Sequence, residues 1–120
     1  MHNFRELQVW KKARTLAKDV YVVSAEFPHE EKFGLTSQVR RSMISIPSNI
    51  AEGSSRNSPK DFVRFLRLAL GSAFELETQL LLSIDLGFIA ETKINPVNKR
   101  IQEIQKMLIG LERKLSSETS

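Results

Sequence analysis

The chain has 120 residues, 41% of them apolar and 27% charged, and it contains no cysteine. That length suits one domain with a core of its own, and the missing thiols exclude disulfides, thiolate metal sites and cysteine nucleophiles. The 18 Lys and Arg against 14 Asp and Glu leave a net charge of +4, a mild basic excess that permits a nucleic-acid partner without requiring one. No apolar run approaches the roughly 20 residues of a membrane span. The opening MHNFRELQVW lacks the basic-then-apolar layout of a secretion signal. A cytoplasmic protein with no membrane partner is the expectation.

The first helix is predicted over residues 3–26. Val9, Ala13, Leu16, Val20 and Val23 recur at three- and four-residue steps, which is one apolar face of an amphipathic helix. Pro28 ends it, because the residue before a proline avoids the helical region. The second helix is predicted over residues 29–53. Its stripe of Leu35, Val39, Met43, Ile46 and Ile50 keeps phase across Pro47, so the spacing predicts one helix kinked at the proline. The ring removes a hydrogen bond to the Met43 carbonyl, at a cost of about 3 kcal/mol in a free helix. Ser42, Ser45, Asn49 and Glu52 stand close enough in sequence to satisfy groups freed there, and Gly53 reads as a left-handed stop.

The third helix is predicted over residues 59–86, with Ser58 as cap, Pro59 at the first helical position and Gly87 as stop. It carries two apolar stripes. Phe62, Leu66, Ala69, Ala73, Leu76 and Leu80 form one. Val63, Leu70, Phe74, Leu81, Ile84 and Phe88 form a second that a single bundle core does not need, which points to a wide internal contact or a subunit interface. The fourth helix is predicted over residues 95–117, opening at Asn95 and Pro96, with a clean stripe from Ile94 to Leu115. With no strand alternation and short connections, the fold class expected is all-α: one antiparallel up-down four-helix bundle.

Little in the chain reads as an active site. His2 and His29 stand alone, without the three donors a zinc site needs. Glu75 and Glu77 are two apart on a helix and face different ways. Glu30 and Glu31 complement the dipole at the start of the second helix. No catalytic residue, cofactor or metal is expected. Glu52, in the last turn of its helix, opposes the dipole and calls for an arginine from another helix.

The basic residues are more informative. Lys60, Arg64 and Arg67 step by four and three, so they share a face of the third helix. Arg56 stands just before that helix, whose N-terminus attracts anions. A phosphate-binding surface of Arg56, Lys60, Arg64 and Arg67 is one reading. Solvated faces, or partners for Glu52, Glu75 and Glu77, are the other. Arg40 and Arg41 on the second helix, and the row of Lys11, Arg14 and Lys18 on the first, are weaker candidates.

Three blocks, FRELQVWKKA, FPHEEKFGLTSQVRRSMISIPSNIAEGSSR and FLRLALGSAFELETQL, together resemble the 23S ribosomal RNA intervening-sequence protein family, also known by an S23 ribosomal label. The resemblance covers about residues 4–107, and its most specific part is GLTSQVRRSMISIPSNIAEG. Matching positions include Trp10, Pro28, Gly34, Arg40, Arg41, Pro47, Asn49, Glu52, Gly53, Arg56, Gly71, Ser72 and Glu75. The resemblance implies a bacterial four-helix bundle, no enzymatic activity, and a cyclic homo-oligomer, a homopentamer. Accessory proteins of diversity-generating retroelements look similar, and that likeness implies RNA or DNA as a partner. The expected function is a non-enzymatic oligomer that binds nucleic acid, RNA above all. The alternative is a structural or adaptor oligomer that binds a protein partner.

Overall fold

The computed structural model describes residues 2–118, and every regular element among them is helical. The long helices are α1 (Gln8–Ser24), α2 (Leu35–Ser54), α3 (Pro59–Asp85) and α4 (Glu91–Ser117), with 3-10 turns at Phe4–Glu6 and His29–Glu31. Helix α1 packs on α2 and α4, and α3 packs on the same two helices from the other side. Short connections make consecutive helices antiparallel. The result is an up-down four-helix bundle measuring 48 × 22 × 20 Å.

The stripes read from the sequence line its core. Val9, Ala13, Leu16, Val20 and Val23 of α1 are buried, as are Val39, Met43, Ile46 and Ile50 of α2. Helix α3 contributes its first stripe from Phe62 to Leu80, and α4 contributes Ile94, Val97, Ile101, Ile104, Leu108 and Leu115. Among the described residues one buried side-chain atom has no hydrogen-bond partner, Asn98 Oδ1.

Three helix starts differ from expectation, each for a tertiary or capping reason. Leu7 is extended and separates the Phe4–Glu6 turn from α1; the His2 amide donates to the Ser54 carbonyl at 2.8 Å, which draws the N-terminal segment across the end of the bundle. Helix α2 starts at Leu35 rather than residue 29, because Glu31 folds back and its Oε1 accepts from the Leu35 amide at 3.0 Å. Helix α4 starts at Glu91, so Pro96 lies inside it. Burial of Ile94 and the Lys93–Glu26 ion pair anchor that early turn to the bundle, outweighing the first-turn preference of proline.

Helix α2 runs through Pro47 without a break. The polar side chains around the proline divide: Asn49 bonds within α2, to backbone next to the proline as the sequence implies, while Ser42 and Ser45 tie α2 to α3. Ser42 Oγ donates to Glu75 Oε1 at 2.6 Å, with Gln79 Oε1 at 3.0 Å. Ser45 Oγ pairs with Ser72 Oγ at 2.8 Å, and Asn49 Nδ2 donates to both the Ser45 carbonyl and its hydroxyl at 2.9 Å.

Gly53 is not a left-handed stop. Helix α2 continues to Ser54, and among the described residues only Gly87 has positive φ, 75°, where it ends α3 as expected. Gly53 is instead a contact. A Cβ there would stand 2.7 Å from Phe65 Cβ and 2.9 Å from Phe62 Cδ1. Gly53→Ala therefore forces the two helices apart and lowers stability by about 1–3 kcal/mol in urea unfolding. Gly110→Ala, whose Cβ meets nothing within 4 Å, raises it by about 0.5–1 kcal/mol. Shifts of the same sign would show that the Gly53 contact is not tight.

Candidate nucleic-acid interface

The start of α3 is built by its cap. Ser58 Oγ accepts from the Asp61 amide at 3.3 Å, and Pro59 opens the helix. Lys60, Arg64 and Arg67 then fall on one exposed side. Arg56, in the turn just before, joins them. The guanidinium carbons of Arg56 and Arg64 lie 5.0 and 4.9 Å from the centroid of Phe65, a ring that is itself buried. One aromatic ring thus gathers two cations that would otherwise repel. A groove of about 740 Å³ runs beside them, lined by Lys60, Asp61, Arg64, Arg67 and Ser116.

The site is less positive than the sequence implied. Arg67 Nε donates to Glu112 Oε1 of α4 at 2.6 Å, a long-range pair that no local spacing announces. Arg56 Nη2 stands 3.3 Å from Glu52 Oε1. That identifies the partner of Glu52 as the arginine four residues on, not one from another helix. Lys60 and Arg64 make no ion pair among the described residues. The helix N-terminus adds less than expected: Pro59 has no amide proton, Ser58 takes the Asp61 and Phe62 amides, and Asp61 carries an acid into the first turn.

Arg40 and Arg41 do not join this surface. They lie sixteen and fifteen residues before Arg56, about 24 Å back along the axis of α2. Arg40 Nε donates to Ser24 Oγ at 2.9 Å, its Nη2 to the Tyr21 carbonyl at 3.3 Å, and its guanidinium lies 4.5 Å from the Tyr21 ring centroid. It closes the C-terminal end of α1, where a cation offsets the helix dipole. Arg41 is exposed. Glu75 and Glu77 are occupied by neutral donors, Ser42 for the first and Gln102 and Gln105 for the second.

The second apolar stripe of α3 divides. Val63 belongs to the core, and Leu70, Ile84 and Phe88 pack against its edge. Phe74 and Leu81 remain about half exposed, joined by Leu68, Leu82 and Leu86. His2 packs on Phe62 with ring centroids 5.2 Å apart, and His29 sits in a 3-10 turn. Among the described residues no group of three or more His, Asp or Glu could hold a metal, and no helix is long and apolar enough to cross a membrane.

Residues 5–110 match the family model described as 23S rRNA-intervening sequence protein. The chain belongs to that family. A crystal structure from Bacteroides thetaiotaomicron VPI-5482, described as a protein with unknown function from the S23 ribosomal protein family, superposes with a TM-score of 0.78 at 30% identity, covering 87% of this chain and 97% of that one. No curated protein matches the chain. The match to the intervening-sequence protein model takes in α1, α2, α3 and most of α4.

Arg40→Ala removes two hydrogen bonds and a ring contact, so stability is expected to fall by about 1–3 kcal/mol in urea unfolding; an unchanged midpoint would show that these contacts do not hold the end of α1.

Proposed function

We propose that this intervening-sequence protein is a non-enzymatic, self-associating bundle in the cytoplasm that binds nucleic acid, RNA foremost, through Arg56, Lys60, Arg64 and Arg67. The observation that carries the reading is the pair of guanidiniums held over Phe65, with Lys60 one turn from Arg64. Like charges at that spacing repel by a few tenths of a kcal/mol per pair, and a phosphate placed between them relieves the repulsion. The surface offers phosphate contacts and no base readout, so it positions a strand without selecting its sequence. With Phe65 and Phe62 buried, it presents no ring for stacking, which favours structured or duplex forms.

One copy offers few contacts. The exposed strip of Phe74, Leu81 and Leu82 on α3 supports self-association, and a ring of five, the number the family resemblance implies, multiplies weak sites without new chemistry. A second reading is favoured by the pairing of Arg67 with Glu112 and Arg56 with Glu52: an adaptor whose basic faces are solvated and whose apolar strip takes a protein partner.

Salt separates the two. Phosphate binding weakens steeply as salt rises because counterions are released, whereas apolar contacts do not. A duplex RNA titration at low and high salt, with wild type and a Lys60→Gln, Arg64→Gln variant, is expected to show salt-dependent binding that drops by about tenfold in the variant. Equal binding by both proteins leaves the adaptor reading. For assembly, light scattering is expected to find an oligomer that Phe74→Glu dissociates while the helical circular-dichroism signal persists, since Phe74 is outside the core. A stable wild-type monomer at micromolar concentration removes self-association.

A further inference from the structure

A second basic surface lies on α1 and is built differently from the α3 site. Asn3 Oδ1 accepts from the Arg5 amide at 3.1 Å, which shapes the Phe4–Glu6 turn. That turn sets Phe4 edge-on to Trp10 with centroids 4.9 Å apart. The Arg5 guanidinium lies 5.8 Å from the Phe4 centroid, and that of Arg14 lies 5.5 Å from the Trp10 centroid. Lys11 and Lys18 extend the row over about 10 Å of helix axis. Among the described residues Arg5, Lys11, Arg14 and Lys18 make no ion pair, although neighbouring Lys12 pairs with Glu103 at 2.7 Å.

Phe4, Arg5, Trp10 and Arg14 line a groove of about 690 Å³ against α2, where Pro47, Ser48 and Ala51 form the facing wall; Lys11 and Lys18 line a second groove of about 550 Å³ that shares Arg5, Trp10 and Arg14 with the first. None of Pro47, Ser48 and Ala51 is charged, so the positive side meets no opposing carboxylate. Phe4 and Trp10 are only half-buried. The groove therefore combines unopposed cations with flat, partly exposed rings and guanidinium planes.

We propose that this α1–α2 groove, together with the Lys11–Lys18 groove that adjoins it at Trp10, binds single-stranded nucleic acid, independently of the α3 surface. A single strand presents two things at once: phosphates for the cations, and unstacked bases for the rings and guanidinium planes. A duplex keeps its bases stacked inside and offers the phosphates alone. An acidic peptide satisfies the cations and leaves the flat surfaces unused. The two binding surfaces then divide the labour, strands on α1 and structured regions on α3.

The test uses the full chain and its own reporter. Trp10 is the single tryptophan, so tryptophan fluorescence reports on this groove alone. Oligo(U), a hairpin duplex of equal length and poly-glutamate are titrated in turn. Oligo(U) is expected to quench Trp10, with affinity falling roughly twentyfold between ~50 and ~200 mM salt if three phosphates are held. Arg5→Gln with Arg14→Gln lowers that affinity by about tenfold, while Lys60→Gln with Arg64→Gln leaves the quenching unchanged. Should the first pair loosen the N-terminal turn, Lys11→Gln with Lys18→Gln, both outside the ring contacts, still weakens oligo(U) binding by about the same factor. The proposal is overturned if oligo(U) leaves Trp10 unchanged, if the duplex or poly-glutamate quenches it equally, or if the Lys11, Lys18 variant binds as wild type. None of those results bears on the α3 surface, whose titration reads duplex binding.

Discussion

The bundle depends on one close approach. At Gly53 the backbone of α2 lies against Phe62 and Phe65 of α3, at a separation that no larger residue permits. This contact fixes where the chain leaves α2, and so where Ser58 falls to cap α3. It also holds Phe65 beneath Arg56 and Arg64. Further along, Ser45 with Ser72 and Ser42 with Glu75 keep the same two helices in register. A slip of one turn would leave half-buried donors and acceptors unpaired, which costs more than the pairs themselves contribute.

The helices and the core were legible because burial repeats. The stripes of α1, α2 and α4 needed only the 3.6-residue period, and the structure buries them nearly residue for residue. Helix ends were less legible because tertiary ties set them. Nothing near Leu7 in sequence announces that His2 will bond to Ser54, and Pro96 read as a first-turn residue until Ile94 and Lys93 were seen anchored ahead of it. Gly53 misleads in the sequence. A glycine near a helix end reads as a conformational stop, whereas here its missing side chain matters and its φ does not.

The candidate site was legible as charge and illegible as pairing. Periodicity placed Lys60, Arg64 and Arg67 on one face, and the exposed row confirms that placement. Which cations are neutralised depends on contacts between distant segments: Arg67 with Glu112, Arg40 with the end of α1. The aromatic cluster of Phe4 and Trp10 is harder to read, because Trp10 sits beside the core stripe of α1 and packs partly against it. Its signal was present in FRELQVWKKAR, where aromatic and basic residues interleave.

The two long seams of the bundle differ in kind. Between α2 and α3 the helices are joined by a short turn and meet through close backbone contact and shared hydroxyls. Between α1 and α4 the partners are distant in sequence, and outside the shared apolar core they are joined by the ion pairs of Lys12 with Glu103 and Arg100 with Asp19. Closing a loop that long carries the larger entropic cost, and exposed ion pairs return little of it. The α2–α3 hairpin is therefore expected to form early and open last. The α1–α4 seam is then where protection from amide exchange is expected to be lowest, and because its bridges are screened by salt, ionic strength is expected to tune opening there.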